Sequence, residues 1–113
     1  MKRYKYKKGE VLVSGHRGES CFGLENTMSA IKRALKLGVD MIETDVHMTK
    51  DRELILIHDN FLERTTNGVG LVREHTLSEI NCLDATVNAK IKILPEPPPT
   101  LNSFLKLSLS NSA

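Results

Sequence analysis

The spacing of apolar residues changes several times along the chain, and each change predicts a different element. Val11, Leu12 and Val13 form a short apolar run within residues 10–14, between Gly9 and Gly15, which predicts a buried strand ending at His16. From Asn26 the spacing becomes helical. Met28, Ile31 and Leu35 recur at three or four residues with Ala30 and Ala34 beside them, while Lys32, Arg33 and Lys36 take the opposite face. Asn26 or Thr27 is placed to cap this helix and Gly38 to end it. Residues 41–48 alternate as a strand, and residues 54–57 are a second apolar run beyond the polar turn at 49–53. Strand, helix and strand in that order predict a parallel unit of the α/β class.

The second half is less regular. Residues 65–70 are turn-rich, with Asn67-Gly68 as the strongest break, and Thr76 with Glu79 forms a capping box that should open a short helix. Four of the six residues 94–99 are apart from helix or central-strand use: Pro95, Pro97, Pro98 and Pro99 make this stretch a connector. Residues 100–107 can begin another helix through Leu101, Phe104 and Leu105, and residues 108–113 read as a tail. The expected organisation is a basic arm at 1–9, one domain at 10–107 and the tail.

At 113 residues, 40% hydrophobic and 27% charged, the composition is that of a soluble globular chain with room for one domain at most. The net charge of +2 is concentrated at one end, in Lys2, Arg3, Lys5, Lys7 and Lys8. Tyr4 and Tyr6 interleave with them, but such arms are usually solvated ends, and no nucleic-acid partner is expected. Three apolar residues after the arm are too few for a secretion signal or a membrane span, so no integral membrane segment and a cytoplasmic location are expected. Cys21 and Cys82 are far apart and form neither a C-x-x-C motif nor a disulfide framework.

The candidate chemistry sits at the strand ends. Glu43 and Asp45, two apart on one strand, point to one face, a spacing that suits a cation and equally an ordinary solvent-facing strand. If the turn at 49–53 is a tight hairpin with Asp51 and Arg52 at its tip, Asp45 lies opposite His58, and Glu43, Asp45 and His58 share that face. His16 and Arg17 follow the first strand and precede Gly18. Histidine moves a proton near neutral pH, and guanidinium offers a planar fork of donors to phosphate oxygens. Two strand-end histidines, an arginine and a carboxylate pair together fit phosphodiester hydrolysis aided by a cation. Oxygen-only protein ligands favour calcium or magnesium.

The ordered motifs His16-Arg17-Gly18, Glu25-Asn26-Thr27, Glu43-x-Asp45-Val46, Thr49-Lys50-Asp51 and His58-Asp59 resemble those of glycerophosphodiester phosphodiesterases. The similarity continues through Arg64-Thr65-Thr66-Asn67-Gly68, Leu83-Asp84 and Pro99-Thr100-Leu101, covering roughly residues 11–105. This resemblance implies part of a phospholipase-C-like, TIM-type (β/α)8 barrel with its site at the C-terminal strand ends and a small insertion at about 60–98. It implies His16 and His58 as the acid/base pair, Arg17 as a phosphate ligand, and Glu43 and Asp45 as ligands of a divalent cation. The implied substrates are glycerophosphodiesters such as glycerophosphocholine, cleaved to glycerol phosphate and an alcohol.

Some positions depart from the family's pattern. Cys21, Phe22, Gly23 and Leu24 stand where small residues and a proline are usual, Thr86 where glycine is usual, and Asn102 and Ser103 where acidic residues are common. The third metal carboxylate of the family belongs to a strand beyond the Pro-Thr-Leu segment. A barrel of this class takes about 250 residues, so about two of its strands are expected here and the chain is expected to be truncated. Open barrel edges would then favour pairing with a second copy. A non-catalytic binding remnant and a related phospholipase D-type lipase are the alternative expectations.

Overall fold

The computed structural model describes residues 7–111, so most of the expected basic arm, including Lys2, Arg3, Tyr4, Lys5 and Tyr6, and the last two residues of the expected tail lie outside the described residues. The first unit is strand β1 (Ser14–His16), helix α1 (Met28–Leu37) and strand β2 (Met41–Glu43). The strands pair in parallel with Ser14 beside Met41, Gly15 beside Ile42 and His16 beside Glu43. Thr27 is the N-cap of α1, its hydroxyl accepting the Ala30 N–H, and Gly38 closes the helix in the left-handed conformation. Gly15 is buried, and a Cβ there would stand 3.1 Å from the Gly18 carbonyl oxygen and 3.3 Å from the Ala34 methyl, so the missing side chain lets β1 lie close against α1.

β1 starts later than its apolar run suggests. Val11 and Val13 are 84% and 56% exposed rather than buried. β2 begins only at Met41, after the Gly38 stop, so the ladder starts at Ser14, and just before it the Val13 carbonyl accepts the Asp40 and Met41 N–H groups. Val13 is also held by Asp40, whose carboxylate accepts the Val13 N–H at 2.9 Å.

The alternating stretch 41–48 is not one strand. It breaks at Thr44 and Asp45, and strand β3 (Val46–Met48) leaves the β1–β2 sheet to form an antiparallel hairpin with β4 (Leu54–Leu56). The tip is longer than a two-residue turn: Lys50, Asp51 and Arg52 lie between the last paired residues, Thr49 and Glu53, and Arg52 takes the left-handed conformation (φ 63°). The register is therefore one residue away from that expected. Val46 faces Leu56, the Ile57 N–H bonds the Asp45 carbonyl, and His58 lies past the ladder instead of opposite Asp45.

Ile55, Ile57, Leu62, Val72 and Ile80 form the main core under β4, with Leu77 and Leu83 packed against it. The short helix α2 (Leu77–Ile80) opens on Thr76, whose hydroxyl accepts the Glu79 N–H and donates to the Glu79 carboxylate, so the expected capping box forms in its N-cap half. The proline stretch carries no helix, and its end runs back beside β4, where the Pro99 carbonyl accepts the Leu56 N–H and Thr100 bridges Ile55. From there Glu96 reaches α1 and accepts both the N–H and the hydroxyl of Ser29, placing a carboxylate at the positive end of that helix. Helix α3 (Leu101–Asn111) continues through most of the expected tail, because Leu101, Leu105 and Leu109 extend one apolar row at four-residue spacing. No helix of the described residues is long and apolar enough to cross a membrane.

Candidate active site

The turn after β1 is conformationally demanding. Arg17 and Gly18 both have positive φ, 57° and 81°, and Asn26, just before α1, has φ 57°. Positive φ is uncommon outside glycine, so the surrounding bonds must hold these residues in place. The Asn26 N–H donates to the Arg17 carbonyl, and the Asn26 side chain bonds Asp45 twice, giving its amide N–H to Oδ2 at 3.2 Å and accepting the Asp45 N–H at 3.4 Å. Asn26 thereby ties the turn after β1 to the break between β2 and β3.

Parallel pairing sets Glu43 beside His16, with 3.6 Å between His16 Nε2 and Glu43 Oε2. The same Glu43 oxygen accepts the Arg17 main-chain N–H. The Arg17 guanidinium lies 3.4 Å from Asp45 through Nε and donates to Glu25 through Nη1 at 2.9 Å. Thus four of the five residues singled out from the sequence, His16, Arg17, Glu43 and Asp45, surround a single turn. Glu43 Oε1 and Asp45 Oδ1 have no protein donor among the described residues, so one oxygen of each carboxylate is available to a hard cation. Among the described residues no group of three or more His, Cys, Asp or Glu is arranged to hold a metal. Oxygen donors of this kind suit a hard divalent cation, and two carboxylates alone fall short of a complete ligand set.

His58 joins this group by a different route from the expected register. Its Nδ1 donates to Asp59 Oδ1 at 2.9 Å, and Asp59 accepts two bonds from Arg64. Arg64 in turn donates to both oxygens of Glu25, which meets Arg17. The link from His58 to His16 therefore runs through Asp59, Arg64, Glu25, Arg17 and Glu43. His47 contacts this end as well: its Nε2 bonds the His58 carbonyl at 2.8 Å.

Hydrogen bonds from Arg64, and then from His58, hold the Asp59 carboxyl well below the usual range. Arg64 also lowers the Glu25 carboxyl, against an opposing effect of burial, and the bonds from Glu25 and Asp59 push the guanidinium further up. All three groups are charged near neutral pH. Glu25, Asn26, Asp59 and Arg64 were not singled out as site residues by spacing, although each lies inside one of the motif strings noted above.

The described residues thus form an α/β unit with its histidines, arginines and carboxylates gathered near the ends of the strands. The sequence profile of the glycerophosphoryl diester phosphodiesterase family matches residues 16–112, and the chain belongs to that family. It is 48% identical over 98 residues to the glycerophosphodiester phosphodiesterase of Caldanaerobacter subterraneus subsp. tengcongensis, an overlap of 87% of this chain and 40% of that protein. Among solved structures it is similar to the glycerophosphodiester phosphodiesterase of Agrobacterium tumefaciens (TM-score 0.79, 35% identity, 92% of this chain and 45% of that one). It is also similar to an Oleispira antarctica phosphodiesterase solved with the product sn-glycerol-3-phosphate (TM-score 0.78, 30% identity, 89% of this chain and 41% of that one). The chain thus spans less than half the length of each of these three relatives, and its fold is part of their TIM-type barrel.

Proposed function

We propose that the chain acts in the hydrolysis of glycerophosphodiesters to glycerol phosphate and an alcohol. The observation that carries this reading is the unbroken array of two histidines, two arginines and four carboxylates joined from His16 to His58. The product held by the Oleispira antarctica relative supports glycerol phosphate as the product here.

In this reading His16 and His58 are the acid/base pair. Each lies beside a carboxylate, Glu43 or Asp59, and one of the two histidines takes a proton from the attacking water or hydroxyl. The partner histidine gives a proton to the leaving alkoxide. With Nδ1 committed to Asp59, His58 offers Nε2 to the reaction. Arg17 Nη2 makes no bond to the protein among the described residues and is a donor for a phosphate oxygen, while Nε is buried 3.4 Å from Asp45 without a hydrogen bond. Arg17 and Arg64 contribute +2 against −4 from Glu25, Glu43, Asp45 and Asp59, so with neutral histidines the array carries −2. A phosphodiester anion meets repulsion there unless a cation accompanies it, which supports Glu43 and Asp45 as ligands of calcium or magnesium. Such a cation, when bound, neutralises phosphate charge and lowers the pKa of a coordinated nucleophile.

The test is turnover of glycerophosphocholine by the purified chain with calcium or magnesium, with chelator, and in the Glu43→Ala variant. Metal-dependent turnover lost in Glu43→Ala is the expected result. Folded, cation-saturated protein without turnover overturns the activity proposed for these 113 residues.

A further inference from the structure

Arg64 moves no proton and meets no substrate in the chemistry just described, yet it makes more side-chain bonds than any of the proposed catalytic groups. Its Nε and Nη2 donate to Asp59 at 2.9 and 3.0 Å, and its Nη1 and Nη2 donate to Glu25 at 2.7 and 3.1 Å. The guanidinium is thus a double fork with one carboxylate on each side. Asp59 has both oxygens engaged: Oδ2 by Arg64, and Oδ1 by Arg64 and the His58 ring together. The carboxylate cannot turn away from His58 without breaking a bond to Arg64.

Arg64 is itself anchored from a part of the chain with its own core. Asn88 donates to the Arg64 carbonyl at 2.7 Å, and two residues on, the Thr66 hydroxyl donates to the carbonyl of fully buried Leu62. The Arg64 and Asp59 side chains remain partly exposed, at 46% and 27%. Ion pairs in that setting add little to stability. What a planar fork adds is direction, which a lysine cannot reproduce.

We propose that Arg64 is a positioning residue: it locks Asp59 so that the His58 ring keeps its proton on Nδ1 and presents Nε2 to the substrate, and through Glu25 it couples His58 to the Arg17 end of the site. The proposal rests on the reading of His58 as an acid/base group. The groups that face His58 are Asp59 at its ring, Arg64 behind Asp59, and His47 at its carbonyl; Glu25 lies beyond Arg64.

The experiment is nitrogen-15 NMR of the His58 ring in the whole chain, reading which nitrogen carries the proton in the neutral form. The intact chain is expected to show Nδ1–H. In Arg64→Lys and Arg64→Gln the population shifts toward Nε2–H while the amide signals of Ile55, Leu62 and Ile80 keep their positions. A lysine that preserved the Nδ1–H form would show that charge alone suffices and would overturn the proposal. An Nε2–H ring in the intact chain overturns it without any variant, so loss of folding in the variants leaves the proposal open to refutation. Turnover is not needed for this measurement: an inactive chain with the expected shift sinks the proposed activity alone, and an active chain without the shift sinks the role of Arg64 alone.

Discussion

Replacing Gly18 with alanine probes the contact that seats the Arg17 turn on α1. Gly18 has φ 81°, and a Cβ added there would stand 2.8 Å from the Ala30 carbonyl carbon and 2.9 Å from both its oxygen and its methyl. Two costs follow. Left-handed backbone costs an L-residue about 1–2 kcal/mol. Forcing a methyl onto helix backbone adds about 1–3 kcal/mol, as overpacking does elsewhere. The Ala30 carbonyl also accepts the Glu19 N–H at 2.8 Å, so α1 cannot retreat without losing that bond. The expected loss is about 2–5 kcal/mol, a large share of the roughly 5–15 kcal/mol that holds an ordinary domain together. Gly38→Ala is the matched control: its φ is 76°, but nothing lies within 4 Å of the added Cβ, so only the backbone cost applies. Urea unfolding followed by circular dichroism, with unchanged slope and shifted midpoint, gives both values. If Gly18→Ala is no more destabilising than Gly38→Ala, the turn does not lie against Ala30 as described.

Three further substitutions or conditions have defined outcomes. Leu62→Ala empties a fully buried position in the main core and should cost about 2–5 kcal/mol in the same urea assay. Thr27→Ala removes the acceptor of the Ala30 N–H and the donor to the Leu24 carbonyl; it should cost about 1–2 kcal/mol and speed amide exchange in the first turn of α1. Asp59 and Glu25 titrate lower in the folded chain than their ordinary values of 3.8 and 4.5, so their stabilisation is present above those values and is lost as pH falls through the folded ones. Urea midpoints should therefore decline below about pH 4.5, and Arg64→Gln, which removes the largest cause of each shift and leaves those from His58 and Arg17, should make that decline shallower.

What was legible in the sequence was local. Thr27 and Gly38 bound α1 because a cap and a left-handed stop depend on neighbouring residues alone, and the order strand, helix, strand led to the parallel pairing that sets His16 beside Glu43. The hairpin was harder, since its register depends on tip length. Arg52 fills the left-handed position where glycine would have announced a three-residue tip, and one residue of difference carried His58 off the ladder. His58 still joins the site, through Arg64, whose bonds to Glu25 span 39 positions and leave no trace in periodicity. Val11 and Val13 look like core by composition, but the ladder with β2 starts only at Ser14 and both side chains stay exposed.

The most direct test of the assembled site is where a divalent cation binds. Manganese, a paramagnetic substitute for magnesium, can be titrated into isotope-labelled chain while its effect on each amide signal is followed. Selective broadening around residues 16–18 and 43–46, displaced by magnesium and lost in the Asp45→Asn variant, is the predicted result. Broadening that is uniform, that centres elsewhere, or that persists unchanged in the variant would contradict the placement of Glu43 and Asp45 as ligands.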